Sequence, residues 1–125
     1  MFKVTATDKA PAAIGPYSQA IAANGILFAS GQIGIDPAAG KITSDTIEGQ
    51  AEQACKNVAE VLKANGLTFD QVIRTTCYLS DMANFKAFND VYAKYFTSKP
   101  ARSCVAVKEI PAGALCEIEI TAIMD

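Results

Sequence analysis

The chain has 125 residues, of which half are hydrophobic and 19% are charged, and its formal net charge at pH 7 is −2. This composition is typical of a folded globular protein and excludes a disordered chain, and the length predicts a single domain, residues 1–125. The acidic balance and the lack of any lysine or arginine cluster argue against a nucleic-acid partner, because nucleic-acid-binding proteins usually carry a basic surplus.

The sequence also bears on location and on metal chemistry. Residues 1–8 contain no apolar stretch typical of a signal peptide, and no apolar run approaches the length of a membrane span. We therefore expect a cytoplasmic protein with no membrane contact and with reduced cysteines. The four cysteines form no C-x-x-C pair and the chain has no histidine, which argues against a zinc site and against Ser-His or Cys-His catalytic pairs.

Three strands are predicted before the first helix. Residues 2–7 alternate as a strand does. Asn24-Gly25 lies between two apolar runs, 19–22 and 26–29, and this dipeptide strongly favours a hairpin. Ser30-Gly31 follows in a strand-like context, where glycine indicates a bulge or a group close to the backbone, or else a simple bend of the sheet.

Two helices and a strand come next. Apolar residues at helical spacing predict a helix over 46–64, which ends at Asn65-Gly66. Alternation predicts a strand over 72–79, with Ile73 on its apolar face. A second helix is predicted over 82–96. Asn89 lies near its apolar face, so it is either a helix-edge residue bonded to a loop or a site residue.

The last two strands are predicted at 102–107 and 115–124. Alternation places Arg102 and Cys104 on one face of the first strand, and Glu117 and Glu119 on one face of the second. If these strands pair, the arginine and the carboxylates share a sheet face. A guanidinium binds a planar carboxylate through two hydrogen bonds, and a glutamate can position or deprotonate water. The alternative is a solvated face with a surface salt bridge.

The predicted element order is β-β-β-α-β-α-β-β. Two amphipathic helices can cover only one face of such a sheet. The other face then carries both polar and apolar residues, and it is either exposed to solvent or packed against the same face of other subunits. The charged and polar residues expected on it are Arg74, Tyr78, Arg102, Cys104, Glu117 and Glu119.

Four stretches of the sequence, 13–20, 28–33, 100–105 and 113–119, resemble the RidA/YjgF family of enamine and imine deaminases. The resemblance covers essentially the whole chain. It implies an α+β fold, a chorismate-mutase-like two-layer sandwich with a mixed sheet and two helices on one face. It also implies a homotrimer whose sheets line a central β-barrel and whose sites lie between subunits.

The resemblance further implies a reaction and the residues that carry it out. The reaction is hydrolysis of 2-iminobutanoate or 2-iminopropanoate to a 2-keto acid and ammonia, which removes reactive products of pyridoxal-phosphate enzymes and needs no cofactor or metal. Arg102 is expected to bind the substrate carboxylate, while Glu117 and the main chain around Cys104 hold the attacking water. The residues implied to line the pocket are Tyr17, Ser30, Gly31 and Asn89.

Some roles and functions have alternatives. Glu119 is either the water-holding residue in place of Glu117 or a salt-bridge partner of Arg74 or Arg102. The segment 97–99 is shorter than in some family members, which changes one wall of the pocket. A carboxylate-binding or chaperone-like trimer is a second possible function. An RNA-cleaving translation inhibitor is a third, against which the acidic balance and the missing histidine weigh.

Overall fold

The computed structural model describes residues 1–124 and has two layers, a six-stranded sheet and two helices packed on one of its faces. The predicted α+β class, with both helices on one side, is confirmed. The strands are β1 Lys3–Thr5, β2 Ala20–Ala23, β3 Ile26–Gln32, β4 Ile35–Asp36, β5 Lys41–Ile42, β6 Val72–Leu79, β7 Ala101–Ala106 and β8 Cys116–Ile123, and the helices are α1 Ile47–Lys63 and α2 Phe85–Tyr95. Neither helix is long and apolar enough to cross a membrane, within residues 1–124.

The strand order in the main sheet is β1-β2-β3-β8-β6-β7. Its neighbours are antiparallel except for β6 and β7, which are parallel because the chain crosses over through α2 between them. The pairing of the last two strands, considered above as one possibility, does not occur, because β6 lies between β7 and β8. The short strands β4 and β5 form a separate hairpin that the sequence pattern did not predict.

Two local features of the sheet match or correct the sequence pattern. Asn24 and Gly25 both have positive φ, 52° and 76°, as a two-residue hairpin turn requires, so the predicted hairpin is confirmed. Of the two interpretations of Ser30-Gly31, the bulge is the one observed and the simple bend is wrong, because the register of β3 against β8 shifts between Ala29 and Gln32. The prediction for Ile73 is wrong. A second register shift at the start of β6 buries Val72 and leaves Ile73 47% exposed.

The core lies between the helices and the sheet. Thr46 caps the start of helix α1, because its side chain accepts a hydrogen bond from the main-chain N–H of Gly49 at 3.0 Å. The residues of α1 that face the sheet are almost entirely buried: Ala51, Ala54, Cys55, Val58, Val61 and Leu62. Helix α1 packs in this way on β3 and β8, the strands that carry part of the candidate site.

A buried amide fastens the chain segment that follows the bulge. Asn57 is 1% exposed, and its Nδ2 donates to the carbonyl oxygens of Ile33 at 3.0 Å and Ile35 at 2.8 Å. Its Oδ1 accepts from Gln53 at 2.9 Å. Because a buried amide needs hydrogen-bond partners, the bonds of this one side chain to two half-buried carbonyl groups fix the path of the loop between β3 and β4.

We expect Asn57→Leu to lower the free energy of unfolding by about 1–3 kcal/mol, because two half-buried carbonyl groups lose their donor. The measurement is urea unfolding followed by circular dichroism. Gln53→Leu is the matched control, since it removes the bond to Asn57 but leaves both main-chain bonds in place. Equal stability of the Asn57 variant and the wild type would show that these bonds do not hold the loop.

Candidate functional site

Arg102 lies on the helix-covered face of the sheet. In β7 it is the neighbour of Thr75 in β6, and Thr75 is fully buried with its hydroxyl 2.8 Å from the hydroxyl of Tyr92 in α2. Side chains that are paired across adjacent strands point to the same face. The expectation that Arg102 and Cys104 lie on the open face with the glutamates is therefore wrong.

The guanidinium of Arg102 is held by three residues of α2. Its Nη1 donates to Oδ1 of Asn89 at 2.8 Å, which accounts for an amide near the apolar face of this helix. Its central carbon lies 4.8 Å from the ring centre of Tyr92 and 5.6 Å from that of Phe85. No carboxylate within residues 1–124 forms an ion pair with Arg102. The guanidinium is thus oriented by the protein and can receive an external carboxylate.

Arg102 opens onto a cavity of about 430 Å³, which we call the arginine half-site. Burial raises the pKa of Tyr92 to about 12, so its phenol stays neutral and acts as a packing surface. Tyr92 and Lys99 were not predicted as site residues. The helical spacing of Tyr92 is that of a core residue, and Lys99 is an isolated residue of a short loop. The residues lining the half-site are Asn89, Tyr92, Ala93, Phe96, Thr97, Lys99, Pro100 and Arg102.

Cys104 lies two residues beyond Arg102, beside the buried Cys77 of β6. Burial raises the pKa of the Cys104 thiol, and the charge of Arg102 opposes that effect. The raised pKa disfavours the thiolate, which is the nucleophilic form. Strand β7 is at the edge of the sheet, so alternate main-chain N–H and C=O groups along it lack a partner strand. The geometry therefore favours a main-chain contribution of Cys104 over one from its sulfur.

Glu117 lies on the opposite, helix-free face. In β8 it is the neighbour of Tyr78 in β6, and it borders a second cavity of about 500 Å³, which we call the glutamate half-site. Burial raises the pKa of Glu117, and the nearby charge of Glu119 raises it further. Among the residues lining this half-site are Tyr17, Ser30, Gly31, Ile33, Ala112 and Glu117.

The bulge in β3 brings Gly31 against Glu117. A Cβ atom at residue 31 would contact the Glu117 carboxylate and would lie 2.7 Å from its carboxyl carbon. Only glycine leaves room for the carboxylate in this position. This close approach is the reason for a glycine within the strand, and the sequence pattern indicated it as one of two interpretations.

Ser30 and Gln19 position the loop that carries Tyr17. The Ser30 hydroxyl donates to the carbonyl oxygen of Ser18 at 2.6 Å, and its main-chain N–H donates to that of Gln19 at 2.9 Å. The buried Gln19 side chain donates to the carbonyl oxygens of Thr7 and Pro11 and accepts from the N–H of Thr7. Tyr17 itself is 52% exposed at the rim of the cavity.

Glu119 has a different environment from Glu117. Its Oε1 accepts a hydrogen bond from the Tyr78 hydroxyl at 3.3 Å. Arg74 is bonded instead to the hydroxyl of Ser103 at 3.3 Å. Within residues 1–124, Glu119 forms no ion pair with either arginine. Glu117 is the more buried of the two carboxylates and its pKa is raised, which makes it the better candidate for a base.

The two half-sites of one chain do not meet. Arg102 and Glu117 lie on opposite faces, and the strands that carry them are separated by β6, about 10 Å apart at ordinary strand spacing. Asn89 belongs to the arginine half-site, whereas Tyr17, Ser30 and Gly31 belong to the glutamate half-site. One small molecule cannot contact both groups of a single chain through the sheet.

The chain has close relatives among known proteins. It is 50% identical over 121 residues to Reactive Intermediate Deaminase A, chloroplastic, of Arabidopsis thaliana, and the match covers 96% of this chain and 65% of that protein. It is 45% identical over 122 residues to the 2-iminobutanoate/2-iminopropanoate deaminase of Homo sapiens, covering 97% of this chain and 89% of the human one. The crystal structure of E. coli TdcF with bound serine has a TM-score of 0.93 at 35% identity and covers 98% of this chain and 99% of TdcF.

A family model described as Endoribonuclease L-PSP matches residues 7–124. That match spans both half-sites, and the relatives above are similar over nearly the whole chain. The resemblance drawn from the sequence motifs is thereby confirmed. The chain belongs to the RidA/YjgF family, the family of the Endoribonuclease L-PSP model.

Proposed function

We propose that the protein hydrolyses 2-imino acids to 2-keto acids and ammonia, at sites where the arginine half-site of one copy meets the glutamate half-site of another. The observation that carries the proposal is Arg102, a guanidinium fixed on Asn89 and Tyr92 that has no carboxylate partner within residues 1–124. A 2-imino acid supplies that carboxylate beside an electrophilic carbon. The human relative's name, 2-iminobutanoate/2-iminopropanoate deaminase, states the same chemistry for that protein.

The reaction needs orientation and a base. Arg102 binds the substrate carboxylate and so fixes the adjacent C=N carbon. The Glu117 carboxylate accepts a proton from water as the water oxygen bonds to that carbon, and it passes this proton to the imine nitrogen to give a carbinolamine. Glu117 then moves the proton of the carbinol hydroxyl to the amine nitrogen, and breaking of the C–N bond releases ammonia and forms the keto group. A raised pKa makes Glu117 a stronger base than an ordinary carboxylate.

Self-association would bring the two half-sites together. The helix-free face of the sheet presents three apolar side chains that are about half exposed: Val4 at 50%, Phe28 at 51% and Val105 at 46%. Closed symmetric assemblies commonly bury such faces. The proposed assembly is a homotrimer with its sheets around a central barrel and its three sites between subunits.

The proposed substrates are small. The solved structure of E. coli TdcF holds serine, a small amino acid with a free carboxylate. Imino acids of this size, such as 2-iminobutanoate and 2-iminopropanoate, are reactive products of pyridoxal-phosphate enzymes. The proposed role is to remove them before they react elsewhere. The RNA-cleaving alternative, to which the description of the family model points, is less favoured because the chain has no histidine and a net charge of −2.

The function and the shared site are tested together by subunit mixing. We expect Arg102→Ala and Glu117→Gln each to lower kcat/KM by about 100-fold, because one loses the carboxylate partner and the other the base. The two variants are unfolded, mixed in equal amounts and refolded. At random assembly about a quarter of the sites then combine an intact arginine with an intact glutamate, so about a quarter of wild-type activity is expected to return.

Activity is measured by generating 2-iminobutanoate with a threonine dehydratase and trapping the remaining imine with semicarbazide. Each variant refolded alone is the control and should stay inactive. A mixture no more active than its components would show that Arg102 and Glu117 do not act across subunits. A wild type that leaves trapping unchanged would overturn the deaminase proposal for this substrate.

Glu117 should control the dependence of activity on pH. Its pKa is raised above the reference value of 4.5, and only the deprotonated form accepts the proton of water. We therefore expect kcat/KM to rise as pH increases through this pKa and then to level off. Glu119→Gln removes a charge that contributes to the shift, so the rising limb should move to lower pH. Glu48→Gln makes the same charge change at an exposed position of α1, and it should leave the rising limb of the pH profile in place.

Gly31→Ala should lower activity through Glu117. The added methyl group would displace the carboxylate, and we expect a loss of at least about tenfold in kcat/KM, as for a misplaced catalytic group. The test is a double-mutant cycle with Glu117→Gln. If Gly31 acts by leaving space for the carboxylate, the double variant should be no slower than Glu117→Gln alone. Additive losses would point to a separate role for the glycine.

A further inference from the structure

Lys99 is the second cation of the arginine half-site. It lines the same cavity as Arg102, three residues before it in the chain, and none of the described residues lining that cavity is an aspartate or a glutamate. At full extension three residues span about 10 Å, so the two Cα atoms are no farther apart than that. Both side chains are long, which places two positive charges within reach of one small molecule.

The backbone at Lys99 is in an unfavourable conformation. Its φ is +56°, in the left-handed region where residues with a Cβ are strained. Pro100 follows directly, and a residue before proline is restricted further. The main-chain N–H of Lys99 donates to the carbonyl oxygen of Phe96 at 3.2 Å and closes the turn after α2. Strain of this kind is a recurrent mark of binding sites, and here it falls on a charged residue facing a cavity.

Lys99 has no ionic partner within residues 1–124. Two carboxylates of the helices are already paired, because Asp90 binds Lys86 at 3.1 Å and Glu52 binds Lys94 at 3.1 Å. Among these described residues, the arginine half-site therefore contains two cations and no anion to balance them. An anion with two charged ends fits that arrangement better than one with a single charged end.

We propose that Lys99 and Arg102 form a two-cation site for 2-imino acids with a second carboxylate on the side chain. Arg102 binds the carboxylate next to the imine, as in the proposed function on which this inference rests. Lys99 binds the distal carboxylate. The substrate class is thus extended to dicarboxylic imino acids, the imines formed by oxidation of acidic amino acids. Neutral imino acids bind through Arg102 alone.

The test compares 2-iminoglutarate, generated by an amino-acid oxidase, with 2-iminobutanoate. We expect Lys99→Met to lower the ratio of their kcat/KM values, acidic over neutral, by about fivefold, mainly through weaker binding of the acidic substrate. Lys99→Arg should keep the ratio, since the charge is retained. Lys94→Met, which removes an exposed lysine of α2 that binds Glu52, should leave it unchanged. An unchanged ratio in Lys99→Met would overturn the proposal.

Binding of the corresponding keto acids separates this inference from the proposed function. Isothermal titration calorimetry should show that the dicarboxylate 2-oxoglutarate binds more tightly than 2-oxobutanoate. That preference should disappear in Lys99→Met and in about 1 M sodium chloride, where the screening length is about 3 Å. If the wild type hydrolyses neither imine, the deaminase proposal fails, but a Lys99-dependent preference would still support the two-cation site. Equal affinities of the wild type for both keto acids would refute it.

Discussion

The position of β6 between β7 and β8 is the constraint on which the rest of the site depends. It pairs Arg102 with Thr75 beneath the helices and Glu117 with Tyr78 on the free face. The two groups to which the proposed hydrolysis assigns roles are therefore held on opposite sides of one sheet. A catalytic unit made from them must combine two copies, and the apolar face around Phe28 provides a surface through which copies can associate.

The same constraint has an electrostatic consequence. In a single chain the Arg102 guanidinium has no carboxylate partner within residues 1–124. Burial and the nearby charge of Glu119 both raise the pKa of Glu117 and so disfavour its charged form. Two opposite charges that would neutralise each other if adjacent are kept apart by the strand between them. Each therefore stays available to a substrate or to water. In the proposed assembly the substrate, and not a salt bridge, would link them.

The sequence predicted the long periodic elements well and the relation between them poorly. The strand 72–79 has the predicted bounds, and the helix expected over 46–64 is observed at Ile47–Lys63. The face on which Arg102 lies was wrong, because alternation fixes the sides of residues only within one strand. The relative phase of β7 and β8 is set by a third strand, through pairings that no local pattern contains. Ile73 fails for a similar reason, since a one-residue bulge reverses the alternation.

The residues of the candidate site likewise differ in whether the sequence could reveal them. Gly31 and Asn89 were detectable because each breaks its local pattern, a glycine within a strand and an amide near an apolar helix face. Tyr92 was hidden because its ring satisfies the helical pattern of the core and also supports Arg102. Lys99 has no periodic context, and only the fold places it beside the guanidinium.

The edge position of β7 has a cost that concerns folding more than chemistry. An edge strand can add the strand of any other chain, and such additions are a common start of aggregation. This edge is six residues long and carries the anchor of the proposed substrate site. A proline at position 102 would protect this edge, but it would also remove the guanidinium from the pocket. Arg102 is itself a charge that points inward at this edge, where Asn89 holds it, so the residue that anchors the proposed substrate also works against the addition of a foreign strand.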